Sequence, residues 1–195
     1  MKLTIPCIIM AGGKSRRMGV DKTLLPLGGY QTLVHYQVAK LSQLFERVYV
    51  SAKGEKFGPL PVPLILDEED EHAPMVGLAT IFGALADNRI FVIAADTPFV
   101  TFKTIRMIAT ITDGEAVVPE TPHKRHALCA LYDRRIEGAL RDHIAEGRHK
   151  MMAFLAQIDT RIVACEDESE FDNLNTPEDY ARAQERIEHN EINPS

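Results

Sequence analysis

No stretch of this chain approaches the roughly 20 consecutive apolar residues needed to cross a membrane, so a membrane partner is not expected. Cysteine is scarce. Cys7, Cys129 and Cys165 are far apart and each sits in an apolar run. That pattern excludes a disulfide framework or a cysteine metal cluster and predicts buried thiols in a reducing compartment. Positive charge is in deficit: 22 Lys and Arg against 28 Asp and Glu leave a net charge of -6. The sequence pI of about 5.6 argues against nucleic acid as a partner. There is no internal repeat and no low-complexity tract. The start, Met1-Lys2-Leu3-Thr4, does not read as a secretory signal, because the apolar run after it is short and leads into a glycine turn. A cytoplasmic location is expected.

The chain has 195 residues, 45% hydrophobic and 26% charged. That suits one domain, residues 1–195, large enough to bury a substantial core. Short apolar runs alternate with helical patterns, which predicts an α/β domain with a mainly parallel sheet. Strands are expected at 5–10, 47–51, 63–66, 90–94, 116–118, 128–132 and 161–165. Helices are expected at 32–44, 76–86, 103–110, 134–145, 150–157 and 177–188. The second half is less regular, and 128–132 is the candidate antiparallel strand. The Pro59–Pro63 stretch reads as a stiff extended connector, and the polar tail after His189 as frayed.

Residues 10 to 22 read Met-Ala-Gly-Gly-Lys-Ser-Arg-Arg-Met-Gly-Val-Asp-Lys. This glycine-rich, cation-rich turn follows an apolar strand. Bare backbone N–H groups and several cations at one strand end suit a polyphosphate. Lys14, Arg16, Arg17 and Lys22 concentrate positive charge in an acidic chain. The turn is not a P-loop, because that motif needs a glycine five positions before Gly13, where Ile8 stands. Nor is it the dinucleotide fingerprint, since Gly12 and Gly13 are adjacent.

Two carboxylates stand out. Asp96 ends the apolar run 90–95, where a strand's C-terminal end would hold Mg²⁺, a hard cation that favours oxygen ligands and phosphates. The alternative is a helix N-cap, but Thr101 fits that role better because Pro98 intervenes. Asp67 ends a second apolar run and opens the acidic stretch 67–71, which otherwise reads as a solvated loop. Further on, Thr176-Pro177-Glu178-Asp179 is a helix start: a Thr cap, Pro in the first position and acids in the first turn. This accounts for those residues as structure and leaves Asn173 and Asn175 unexplained.

The run Ala11-Gly12-Gly13-x-Ser15-x-Arg17-Met18-Gly19, followed by Asp21-Lys22, resembles the signature of nucleotidyltransferases with a Rossmann-like fold. Within them it resembles the molybdenum cofactor guanylyltransferases. The likeness extends through Asp96-Thr97-Pro98 to Asn173-Leu174-Asn175-Thr176-Pro177-Glu178-Asp179 and covers most of the chain. The resemblance implies a three-layer α/β fold of the nucleotide-diphospho-sugar transferase type. A nucleotide-binding half would span about 1–100 and a second-substrate half about 101–190. It implies transfer of GMP from GTP to molybdopterin with release of pyrophosphate, and Mg²⁺ as the cofactor. GTP and molybdopterin would be the substrates, with other cofactor-biosynthesis proteins as candidate partners.

The same resemblance places Met10, Ala11, Gly12, Gly13, Ser51, Asp67, Lys22 and Asp96 around the nucleotide, with Asp96 on the metal. It makes Arg17, Lys22 and Asp96 the catalytic set, acting on phosphates. A lysine's point charge on a long stem fits a phosphate that changes geometry during reaction. Asn175 would complete the metal site or touch the second substrate, and Asn173 is grouped with it. Arg148 and Lys150 would hold the pterin phosphate, or form a solvated turn. His123 and His126 would at most contact substrate. The chain departs from the family in places: Ala73-Pro74-Met75-Val76-Gly77 stands for its Gly-Pro-Leu-Ala-Gly turn, Ser51 for an asparagine near the base, and His126-Ala127 for a His-Pro pair. Alternatives remain a cytidylyl or sugar-phosphate nucleotidyltransferase, or a catalytically silent nucleotide-binding protein.

Overall fold

The structure, a computed structural model, describes residues 1–12, 21–67 and 73–189. The strands are β1 (Cys7–Met10), β2 (Val48–Ala52), β3 (Leu64–Leu66), β4 (Arg89–Ala94), β5 (Ala116–Glu120), β6 (Cys129–Asp133) and β7 (Thr160–Ala164). The helices are α1 (Leu33–Leu41), α2 (Pro74–Ala84), α3 (Phe102–Ala109), α4 (Glu137–Ala145), α5 (Met151–Leu155) and α6 (Pro177–Glu188). Every expected element forms, with ends shifted by a few residues. The shifts reach three residues at the end of α1 and at the start of α4, whose expected first turn, Arg134–Ile136, is 3-10. It is held by the Asp133 carboxylate, which accepts from the Arg135 amide.

The strands make one seven-stranded sheet in the order β3-β2-β1-β4-β6-β5-β7. β3, β2, β1 and β4 are parallel. β6 runs antiparallel to both β4 and β5, as expected for that segment, and β7 returns parallel to β5. The C-terminal ends of β1, β2, β3, β4, β5 and β7 therefore share one edge with the start of β6.

Alternation along the strands divides the core. Cys7, Ile9, Phe91 and Ile93 face α1 and α3, packing with Val34, Val38, Leu41, Ile105 and Ile108. Ile8, Ile90 and Val92 face the other way, onto Met75, Leu78, Ile81 and Phe82 of α2, with Leu140 of α4 and Phe154 of α5. A third cluster joins α6 to the α1 side through Leu27, Leu33, Tyr36, Phe99, Leu174 and Ala183. The three-layer α/β architecture follows from two-sided burial of the central strands. Of the cysteines expected to be buried, Cys7 and Cys129 are, while Cys165 is only half-buried just past the end of β7.

Candidate active site

A cleft of about 230 Å³ opens at the C-terminal edge of β1, β2, β3 and β4. Ligands of open α/β sheets bind outside this edge. The end of β1 contributes Met10, Ala11 and Gly12; β2 and its extension contribute Ser51, Ala52 and Lys53; Asp67 follows β3; and the end of β4 contributes Ala94, Ala95 and Asp96. Ala73, Pro74 and Gly77 close one side, Lys22 and Thr23 another, and Leu128 the β6 side.

Lys22 is delivered by a short 3-10 turn, Lys22–Leu24. Asp21 caps it: its Oδ1 accepts from the Thr23 amide at 3.0 Å and from the Thr23 hydroxyl at 2.6 Å. Its Oδ2 is ion-paired with Lys56 from the β2–β3 connection. Burial works against the charged form of Asp21, but hydrogen bonds from Lys56 and Thr23 outweigh it and hold the carboxyl below its usual range. The next residue, Lys22, donates to Asp96 Oδ2 at 2.5 Å and to Asn175 Oδ1 at 2.8 Å.

Asn175 reaches this point from far along the chain because α6 starts beside it. Thr176 and Asp179 form a capping box, and Asp179 Oδ2 also accepts from the Asn175 amide at 3.0 Å. The Leu174 amide donates to the Asp96 carbonyl at 3.0 Å. The 173–175 segment is thus tied to the turn that carries Asp96.

Ser51, on β2, and Asp67, after β3, line the cleft across β1 from Asp96, which follows β4. Ser51 is buried, and the Thr80 hydroxyl lies 3.4 Å from Asp67 Oδ1. Gly77 permits close approach here. A Cβ at that position would stand 2.8 Å from Met10 Cε and 3.9 Å from Asp67 Oδ2.

The observation that decides the family is the match of residues 7–162 to the MobA-like NTP transferase domain, on a sheet where the end of β1 and Asp96 share one cleft. This chain belongs to that family. It is 34% identical over 185 residues to the molybdenum cofactor guanylyltransferase of Helicobacter pylori (strain J99), covering 92% of this chain and 88% of the relative. It is 33% identical over 185 residues to the protein of the same name from Campylobacter jejuni (strain RM1221), covering 93% and 96%. The crystal structure of molybdopterin-guanine dinucleotide biosynthesis protein A from Archaeoglobus fulgidus superimposes with a TM-score of 0.80 at 22% identity, over 95% of this chain and all of that one. The MobA-like chain described here is accordingly a nucleotidyltransferase.

The MobA-like cleft gathers most of the residues expected from sequence. Met10, Ala11, Gly12, Lys22, Ser51, Asp67 and Asp96 all line it, and Asn175 joins through Lys22. Gly13, Arg16 and Arg17 lie outside the described residues, as does the acidic stretch 68–71. Asn173 lines a separate hollow of about 180 Å³ with Phe99, Asp172, Asp179, Arg182 and Arg186. Arg148 and Lys150 sit on the turn between α4 and α5 and are not among the residues lining the cleft. Arg148 pairs with Glu146 on that turn. His126 stacks on Phe171 with ring centroids 4.1 Å apart. Burial pushes its imidazolium down to about 4, assisted by Lys124 and opposed by Glu168. Lys53 was not anticipated, yet the two-residue period of an extended strand end places it on the same side as Ser51.

Nucleotidyl transfer of this kind uses a divalent cation on the triphosphate. Among the described residues no three His, Cys, Asp or Glu side chains gather as a metal cage. The donors nevertheless fit: a carboxylate oxygen of Asp96 and the amide oxygen of Asn175 already converge on one cation, the Lys22 ammonium. A small hard cation is commonly held by one or two such oxygens with phosphates and waters completing the shell.

Proposed function

We propose that this chain transfers GMP from GTP to the terminal phosphate of molybdopterin, releasing pyrophosphate and forming the guanine dinucleotide cofactor. The observation that carries the reading is the convergence of Lys22, Asp96 and Asn175 at a cleft that Ser51 and Asp67 also line. This geometry occurs in a chain one-third identical to proteins named molybdenum cofactor guanylyltransferase. Ser51 and Asp67 would hold the nucleoside. Met10 to Gly12, with Gly13 and Arg17 beyond them, would border the triphosphate. The part of the chain after about residue 100 would take the second substrate, with Asn173, Arg148 and Lys150 as its candidate contacts, within a single domain in a cytoplasmic enzyme.

In this reading Lys22 leaves Asp96 for the α-phosphate oxygens and follows them as charge builds. Asn175 keeps the ammonium aimed, and Asp96 is freed to bind the cation. Mg²⁺, when bound there, supplies charge neutralisation on the phosphates. The attacking phosphate of molybdopterin is already an anion at neutral pH, so no general base is needed. Catalysis is then positioning and electrostatics. Replacing Asp96 by Ala is expected to abolish turnover measured as pyrophosphate release that requires both GTP and molybdopterin. Full activity in that variant would overturn the mechanism.

A second reading, CTP in place of GTP, rests on where the chain departs from its family. Both departures from the family near the nucleoside, Ser51 and Ala73, line the cleft.

A further inference from the structure

The helix before the β2 strand carries two polar side chains on a face that should be apolar. Gln37 is fully buried and Lys40 is 8% exposed, amid Val34, Val38 and Leu41 of the same helix. Both reach the turn that follows β4. Gln37 Nε2 donates to the carbonyls of Ala95 and Thr97, each at 3.2 Å. Those are the residues immediately before and after Asp96, so one amide group with two N–H donors brackets that carboxylate's backbone. Lys40 Nζ donates to Pro98 O at 2.6 Å and Val100 O at 2.7 Å. The Asp96 carbonyl itself accepts from Leu174.

We propose that Gln37 and Lys40 are positioning residues that fix the Asp96 carboxylate against Lys22 by clamping carbonyls on both sides of it. The inference rests on Asp96 being the cation and phosphate residue argued above.

Two observations favour a positioning role over ordinary packing. First, an ammonium at this depth is costly, and the hydrogen-bond acceptors found for it are neutral carbonyls. Burial pushes Lys40 down to about 8; Cys129 and Glu170 oppose that fall and Arg186 adds to it. An apolar side chain would fill the same space without that cost. Second, the four acceptors all lie in residues 95–100, the one turn that presents Asp96. A shift of about 1 Å in a site group can lower a rate a hundredfold.

The test compares Gln37→Leu and Lys40→Met with Asp96→Ala and with Val38→Ala, a packing defect in the same helix that touches no turn carbonyl. Each folded variant is measured for kcat and KM for GTP. GTP affinity is measured by calorimetry with and without Mg²⁺. The expected result for Gln37→Leu and Lys40→Met is a kcat lower by about tenfold to a hundredfold. KM is expected to stay within about threefold, with a smaller Mg²⁺-dependent gain in GTP affinity. Val38→Ala should lose thermal stability and keep both readouts. Folded clamp variants with kcat and Mg²⁺ response within about twofold of wild type would overturn the proposal, provided Asp96→Ala is impaired. If Asp96→Ala is itself unimpaired, the functional reading fails instead. If Lys40→Met does not fold, Gln37→Leu, which removes no charge, decides alone. If neither folds, the pair is structural and the proposal is overturned.

Discussion

Replacing Lys22 with Met separates the chemistry of this site from its stability. The substitution keeps most of the aliphatic stem and removes an ammonium that lies 2.5 Å from Asp96 Oδ2 and 2.8 Å from Asn175 Oδ1. The side chains of Lys22 and Asp96 are 16% and 18% exposed, and they face an open cleft. Water can therefore solvate the Asp96 carboxylate once its partner is gone. The loss in folding free energy should stay within about 1 kcal/mol, a shift of about 2–4 °C in melting temperature for a chain of this size. The catalytic cost should be larger. A cationic donor aimed at charge that develops on phosphate is worth roughly 2.7–4 kcal/mol, or about a hundredfold to a thousandfold in kcat. The assay is pyrophosphate release with GTP and molybdopterin, beside thermal unfolding of the same preparation. A folded Lys22→Met enzyme within about threefold of wild type would refute the reasoning, because the phosphates would then not depend on this ammonium.

Two further outcomes follow from local geometry. Asp179→Ala removes the carboxylate that accepts from the amides of Asn175 and Thr176. The expected loss is about 1–2 kcal/mol by urea denaturation. Burial opposes the charged form of Asp179, but these hydrogen bonds, with the nearby Arg182 charge, prevail and hold its carboxyl below the usual aspartate range. Its stabilisation is therefore complete above about pH 4 and lost as pH falls through the lowered folded value, so the gap between wild type and variant should close in acid; a gap that stays constant down to acid unfolding would contradict this. Gly77→Ala would bring a methyl to 2.8 Å from Met10 Cε and crowd the Asp67 end of the cleft. GTP affinity is expected to fall about tenfold with the fold retained, and trimming Met10 to Ala should restore part of it. Unchanged affinity would show that the nucleotide does not use this wall.

The sheet was legible because its strands are short, strongly apolar runs separated by helical periodicity. Even the reversal at β6 showed in the irregular second half. Met10, Gly12, Asp67 and Asp96 were legible because each sits at or just after a strand end, where the fold class puts ligands, and Lys22 because it closes a cation-rich run that resembles the family signature. What could not be read is contact across long separations. Asn175 meets Lys22 only because the capping box at Thr176 starts α6 beside the Asp96 turn. Lys56 reinforces Asp21 from another loop. Gln37 and Lys40 break the apolar face of α1, a sequence-visible irregularity whose meaning depends on which turn packs against it. Arg148 and Lys150 were placed by resemblance alone, and the α4–α5 turn holds them outside the cleft lining.

The central claim is the pairing of GTP with molybdopterin, and it is tested most directly by competition. The enzyme is given molybdopterin, Mg²⁺ and equal GTP and CTP, and the dinucleotide products are separated by mass. The account predicts the guanine dinucleotide in large excess, with equimolar pyrophosphate. Predominance of the cytosine dinucleotide, or no dinucleotide at all from either nucleotide, would contradict it.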